Sequence, residues 1–146
     1  MVRTILVIMG AAFLLLGILG FFLDNFLGAH LTPFHNIVHL VSGAASLYLG
    51  LKGSLSAGKI FAYVFGAVYF LLGVAGFAFG MTGTHTLPLE HADGGYNERM
   101  FRMIPGHFEL GTIDHSIHIA IGLVFIIGAV LTKQTNLTRY MEGNEK

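Results

Sequence analysis

Five residues in two short segments have the types and spacing for binding chemistry: His35, His39, Asp114, His115 and His118. His35 and His39 are four residues apart, so a helix puts them on one face. Asp114 and His118 repeat that spacing, and His115, three residues before His118, shares their side. An imidazole nitrogen is a ligand for Zn, Cu, Fe or Ni. A carboxylate adds charge to such a site or orients a histidine from behind. Bundle cores build metal centres from facing helices that offer ligands in this way. The five residues are therefore a candidate site for a transition metal ion (Zn, Cu or Fe), with His107 from the preceding loop as a further ligand. Haem b held by His39 and His118 is a second form of the same chemistry and would serve electron transfer. A His-ligated chlorophyll-type pigment is a third. Gly43 and Gly122, one turn beyond each histidine, would leave room for a flat macrocycle. The competing reading is a structural polar clasp, with His35 meeting Asp114, or Asn36 meeting His115, between two helices. Such bonds contribute about 0.6 kcal/mol, rising to about 1–2. A proton-linked or pH-sensing role uses the same residue types.

The elements that must position these residues follow from composition. Apolar residues make up 54% of the 146 and charged ones only 11%, against about 25% charged in ordinary soluble domains. That excludes a disordered chain, and the eight Lys and Arg balanced by eight Asp and Glu argue against nucleic-acid binding. The absence of cysteine removes disulfides, thiolate zinc, iron–sulfur clusters and a cysteine nucleophile. What remains is an integral membrane protein. About 20 apolar residues cross a bilayer as a helix. Ile5 to Leu23 and Ile60 to Met81 are runs of that length. Ile37 to Leu51 and Ile117 to Leu131 are shorter and reach it only if the histidine segments before them are helical too. The first run is read as an uncleaved helix, since no small-x-small cleavage site follows it. Arg3, the Lys52–Lys59 loop and the tail with Lys133, Arg139 and Lys146 fall on one side, and Asp24, His30, Glu90, His91, Asp93, Glu98 and Glu109 on the other, where Arg99 and Arg102 are the only basic residues. Basic loops stay inside. The expected location is the cytoplasmic membrane of a prokaryote, multi-pass, both termini cytoplasmic, with every histidine toward the outer leaflet.

The chain also carries an internal match. Residues 10–21 align with 66–77 at an offset of 56, with seven identities in twelve positions, and Gly10, Gly17 and Gly20 fall on Gly66, Gly73 and Gly76. His39 and Gly43 align with His118 and Gly122 at an offset of 79. The expected fold is a single all-α integral membrane domain over residues 1–146. It is a four-transmembrane-helix bundle of two parallel hairpin repeats (about 1–55 and 57–135) with an outer-side loop insertion at about 84–111. Parallel repeats place the pseudo-two-fold axis along the membrane normal, which disfavours an inverted-repeat transporter.

His35-Asn36-Ile37-Val38-His39-Leu40 and Asp114-His115-Ser116-Ile117-His118, together with the glycine pattern, resemble an uncharacterised prokaryotic family of small four-helix membrane proteins. In that family the second helix opens with His-Asn-x-x-His and the fourth with Asp-x-x-x-His. The resemblance covers most of the chain, implies the architecture and brings no activity with it.

In the insertion, His85, Glu90, His91, Asp93, His107 and Glu109 form a looser polar set, read first as an ordinary loop and otherwise as a lid over the helix mouths or a groove for a partner subunit. Tyr96 to Ile104, ended by Pro105-Gly106, reads as a short surface helix. The leading expectation is a membrane protein with a His/Asp metal or haem site near the outer leaflet, serving electron transfer or metal handling. The alternative is a non-catalytic accessory or scaffold subunit of a larger membrane complex, with the cluster as a clasp. A membrane redox enzyme ranks third. Expected partners are the lipid bilayer and either a larger complex or further copies of the chain.

Overall fold

Four helices carry most of the chain: α1 (Val2–Leu19), α2 (Pro33–Leu51), α3 (Leu55–Phe79) and α4 (Thr112–Leu131). The structure is a computed structural model that describes residues 1–23, 25, 26, 28–84, 98–133 and 143. The loop residues His85, Glu90, His91 and Asp93 lie outside these. Three helices, α1, α3 and α4, are long and apolar enough to cross a membrane, with mean hydropathies of 2.4, 2.1 and 1.9. The α2 helix has 19 residues but includes His35, Asn36, His39, Ser42 and Ser46 and is not among the three.

Local chemistry sets the helix starts. The Thr32 hydroxyl accepts from the His35 N–H at 3.2 Å and Pro33 opens α2, which supplies both a cap and a preset φ. Ser54 caps α3, accepting from the Ala57 N–H at 3.1 Å. No hydroxyl or amide residue caps α4. Asp114 reaches back and accepts from the Gly111 N–H at 2.8 Å. The histidine segments are therefore helical, which gives the second and fourth apolar runs their full length.

Glycines let the helices meet backbone to backbone in two antiparallel pairs. A Cβ added to Gly10 would lie 2.6 Å from the Leu47 nitrogen, and one on Gly43 would lie 2.8 Å from the Leu14 nitrogen. In the second pair a Cβ on Gly66 would lie 2.9 Å from the Gly122 oxygen, and one on Gly122 would lie 2.6 Å from the Gly66 oxygen. Gly17 backs onto Asn36 and Leu40, and Gly73 onto His115 and Ile119. Gly20 backs onto the Asn36 side chain, and Gly76 onto the His115 ring. The α1–α2 contacts thus recur in α3–α4 at the offsets of 56 and 79 read from the sequence.

The two pairs join through a core of Val2, Leu6, Phe13, Ala62, Tyr69, Phe125 and Ala129. Phe13 stacks on Phe125 at 6.5 Å and meets Tyr69 at 5.5 Å. Leu6 abuts Gly58, and Phe13 abuts Phe65, so α1 and α3 run parallel. One end of the bundle gathers Arg3, Lys52, Lys59 and Lys133. There Arg3 donates to the Gly53 carbonyl at 2.8 Å, and Lys59 to the Thr132 carbonyl at 2.7 Å. The six described histidines belong to the other half.

That far end corrects the all-α expectation. It holds two small antiparallel sheets, β1 (Asn25–Phe26) with β2 (Ala29–His30), and β3 (Met81–Gly83), β4 (Glu98–Ile104) and β5 (Phe108–Leu110) in that order. Residues 98–104, expected as a surface helix, are the central strand. Pro105-Gly106 stops a helix or turns a hairpin equally well. Here Gly106 has a φ of 77°, which glycine adopts without strain, and the chain doubles back into β5. Met100 is buried while Arg99 before it is exposed, as neighbours on opposite faces of a strand can be. Glu109 on β5 is fully buried, accepts from the Gly106 N–H at 2.8 Å and faces Arg102 at 3.8 Å.

Candidate functional site

The sheets hold the histidines by their backbone. His35 Nδ1 lies 2.9 Å from the His30 carbonyl of β2. A carbonyl only accepts, so Nδ1 carries the proton and Nε2 is left with its lone pair. The N–H of the same His30 makes a long 3.5 Å contact to Asp114 Oδ2. The expected His35–Asp114 clasp therefore runs through the backbone of a third residue, which no side-chain pattern could reveal. The His30 ring contacts Glu98 Oε1 at 3.2 Å, and Glu98 also accepts from the Thr112 N–H at 3.1 Å. Thr32, besides capping α2, donates to the His107 carbonyl at 2.8 Å.

Asn36 and His115 do not meet. Asn36 Nδ2 donates to the Leu31 carbonyl at 3.3 Å and His115 Nε2 to the Arg99 carbonyl at 2.8 Å. Each sits over its own glycine, Gly20 or Gly76. His107 lies on the exposed β4–β5 turn, tied there by its N–H to the Ile104 carbonyl at 2.9 Å.

The structure does bring together His35, His39 and His118. The His35 ring centroid lies 4.3 Å from that of His39 and 5.9 Å from that of His118. Phe13 covers His39 at 5.5 Å, and Tyr69 meets His118 edge-on at 5.1 Å. Among the described residues, the Nδ1 atoms of His39 and His118 are buried without a hydrogen-bond partner, as is that of His115. An orphaned buried polar group costs about 1–3 kcal/mol.

Two cavities meet at these rings. A smaller one of about 130 Å³ lies among α1, α2, α4 and the β1–β2 hairpin, lined by His35, His39, Asp114 and His118 with Phe13 and Leu31. A larger one of about 580 Å³ opens between α2 and α3 beneath β4–β5. His35 and His118 line both. Sequence reasoning missed Ser42 and Tyr69, which also line the larger cavity. Ser42 falls at i+3 from His39, so helical spacing could have found it, while Tyr69 has no such signal.

Among the described residues, no group of three or more histidines or carboxylates is arranged to hold a metal ion. The reason is visible in the bonds above. Asp114 is spent on a helix cap, and His115 points to Arg99, away from the other three. The room sought for a macrocycle beside Gly43 and Gly122 is filled by helix backbone, Leu14 and Gly10 in one case and Gly66 and Phe70 in the other.

A family model matches residues 59–141, more than half of the chain, and its description is DUF4383, a domain of unknown function. The chain belongs to the DUF4383 family. The matched segment runs from α3 through α4, so the DUF4383 match takes in Tyr69, Asp114, His115 and His118 but not His35 or His39. No curated protein and no solved structure matches the chain.

Asp114→Ala removes both the α4 cap and the link to β2. It is expected to cost about 0.5–2 kcal/mol, as lost N-terminal caps do. Asp114→Asn keeps an acceptor oxygen and should recover most of that in a thermal melt. Equal melting of Asp114→Ala and wild type would show that the cap does not hold the site.

Proposed function

We propose that this protein is a four-span, non-catalytic membrane binding module whose site is the His35–His39–His118 cluster, set toward the outer face of a prokaryotic cytoplasmic membrane. The reading of α2 as the fourth span is supported by its two faces. His35, His39, Ser42 and Ser46 are buried, while Ile37, Val41, Tyr48 and Leu51 are exposed. A helix polar inside and apolar outside suits lipid around it. Duplication of a hairpin is supported by the matched glycine contacts of α1–α2 and α3–α4. An inside position for both termini is supported by Arg3, Lys52, Lys59 and Lys133 sharing one end. Single cysteines at Ser54 and at His107 on the exposed β4–β5 turn test it. A membrane-impermeant thiol reagent applied to intact cells should label the second and spare the first, and the reverse would invert the topology.

The observation that carries the binding reading is that His39 and His118, each with a buried Nδ1 that has no partner among the described residues, line cavities, which His115 does not. An occupant would offset the cost of leaving them unpaired. With Asp114 and His115 engaged elsewhere, an organic ligand fits this donor set better than a metal ion or haem. The accessory-subunit reading, with the cluster as a clasp, is favoured by the backbone bonds of His35, Asp114 and His115. Elemental analysis, an absorption spectrum and an organic extract of the purified protein separate the two. A stoichiometric organic compound in wild type, absent from the His39→Ala, His118→Ala double variant, supports binding. A wild type that carries nothing supports the clasp.

A further inference from the structure

The larger cavity has a shape and lining that narrow the class of occupant. Its volume of about 580 Å³ falls within the roughly 300–1,000 Å³ of small-molecule sites. Its mouth is on the outside of the bundle, where Val68, Leu71 and Met103 are 54%, 62% and 47% exposed. A ligand would therefore enter sideways from the lipid and not from water. Among the described residues no lysine or arginine lines it, so a carboxylate or phosphate head would find no counter-charge from them. Phe65, Tyr69, Phe101 and Phe108 are among its lining and supply aromatic surface for a flat ring. Its polar end is His35 and His118. His118 is 97% buried with Nδ1 unpartnered, and His35 has its Nδ1 proton committed to His30.

We infer that the α2–α3 groove binds a lipid-soluble quinone or quinol, its ring between the aromatic walls, an oxygen toward His35 and His118, and its isoprenoid tail leaving past Val68 and Leu71. A quinone offers carbonyl acceptors and a quinol hydroxyl donors, and imidazole is able to answer either. The tail has the chemistry of the lipid it lies in. This rests on the binding reading above and names its ligand.

The test uses the full chain in lipid nanodiscs with a short-tailed ubiquinone carrying a photoreactive azide as probe. Saturable one-to-one binding is expected, with crosslinks on α3 between Phe65 and Ala75. Ala75→Phe and Val68→Phe each add bulk to the groove lining without replacing a histidine, and either should weaken binding at least tenfold. His118→Leu should weaken it comparably. Crosslink mapping needs no variant, so it stands even if a filled groove disturbs folding. Non-saturable labelling, crosslinks scattered over α1, or binding unchanged in the groove variants would overturn the inference. So would a wild-type extract holding only phospholipid, or a sterol or metal that the double histidine variant loses. The last result would leave the binding module standing and remove only the quinone and its groove.

Discussion

Gly122→Leu is expected to prevent assembly of the α3–α4 pair. A Cβ at this position would already lie 2.6 Å from both the Gly66 oxygen and the Phe70 nitrogen. Real Cβ atoms do not come so close, and backbone atoms of a packed helix give way far less readily than the end of a side chain. Overpacking a core usually costs about 1–3 kcal/mol. Here the two helices must separate, so the cost should reach or exceed the top of that range. Close approach through small residues is also what drives helices together in lipid, where no hydrophobic force does so. The same change at Gly43 strikes the α1–α2 pair, where the Leu14 nitrogen and the Gly10 oxygen stand 2.8 and 2.9 Å from the added atom. Both variants should lose the monodisperse peak in size-exclusion chromatography or melt far below wild type. Gly143→Leu, with nothing within 4 Å, is the control and should be silent. A wild-type melt for Gly122→Leu would mean that the glycine stripe is not the helix interface.

The helices and their partners were legible because spacing carries them. Apolar length marked α1 and α3, and three glycines at a fixed offset marked which faces touch. The i, i+4 histidines were rightly read as helical, and Thr32 and Pro33 mark where α2 starts. The strands were not legible. Glu98 to Ile104 mixes charged and apolar residues in a way that fits either period, and only the φ of Gly106 decides for a hairpin. The site was half legible. His35, His39 and His118 converge as their spacing implied, but the sequence assigned Asp114 and His115 to the same point. Asp114 sits at the third position of its helix, where an acidic side chain is drawn to free N–H groups, and His115 is carried by the helix turn toward Gly76 and Arg99. The backbone of His30, which ties α2 to α4, has no side-chain signature. Ser42 and Tyr69 became visible only when α2 and α3 were seen to leave a gap.

His39→Leu combined with His118→Leu should raise or preserve the stability of the empty protein while abolishing ligand capture. Each leucine has a volume near that of the imidazole it replaces and removes a buried Nδ1 that has no partner. An unsatisfied buried group costs about 1–3 kcal/mol, so its removal returns some of that, less the ring contacts with Phe13 and Tyr69. His115→Leu differs, because although its Nδ1 is also buried without a partner among the described residues, its other ring nitrogen is engaged. Its Nε2 donates to the Arg99 carbonyl at 2.8 Å, and losing that bond strands the carbonyl and should lower the melting temperature. A clasp built from all these histidines predicts that every one of the changes destabilises. A binding site predicts a split, with His39 and His118 kept at the expense of stability, as functional groups commonly are, and His115 kept for the fold. Melting curves of the ligand-stripped protein, set beside ligand content, read the split directly. If the double leucine variant falls as far as His115→Leu, the three rings at the two cavities are framework and not a site.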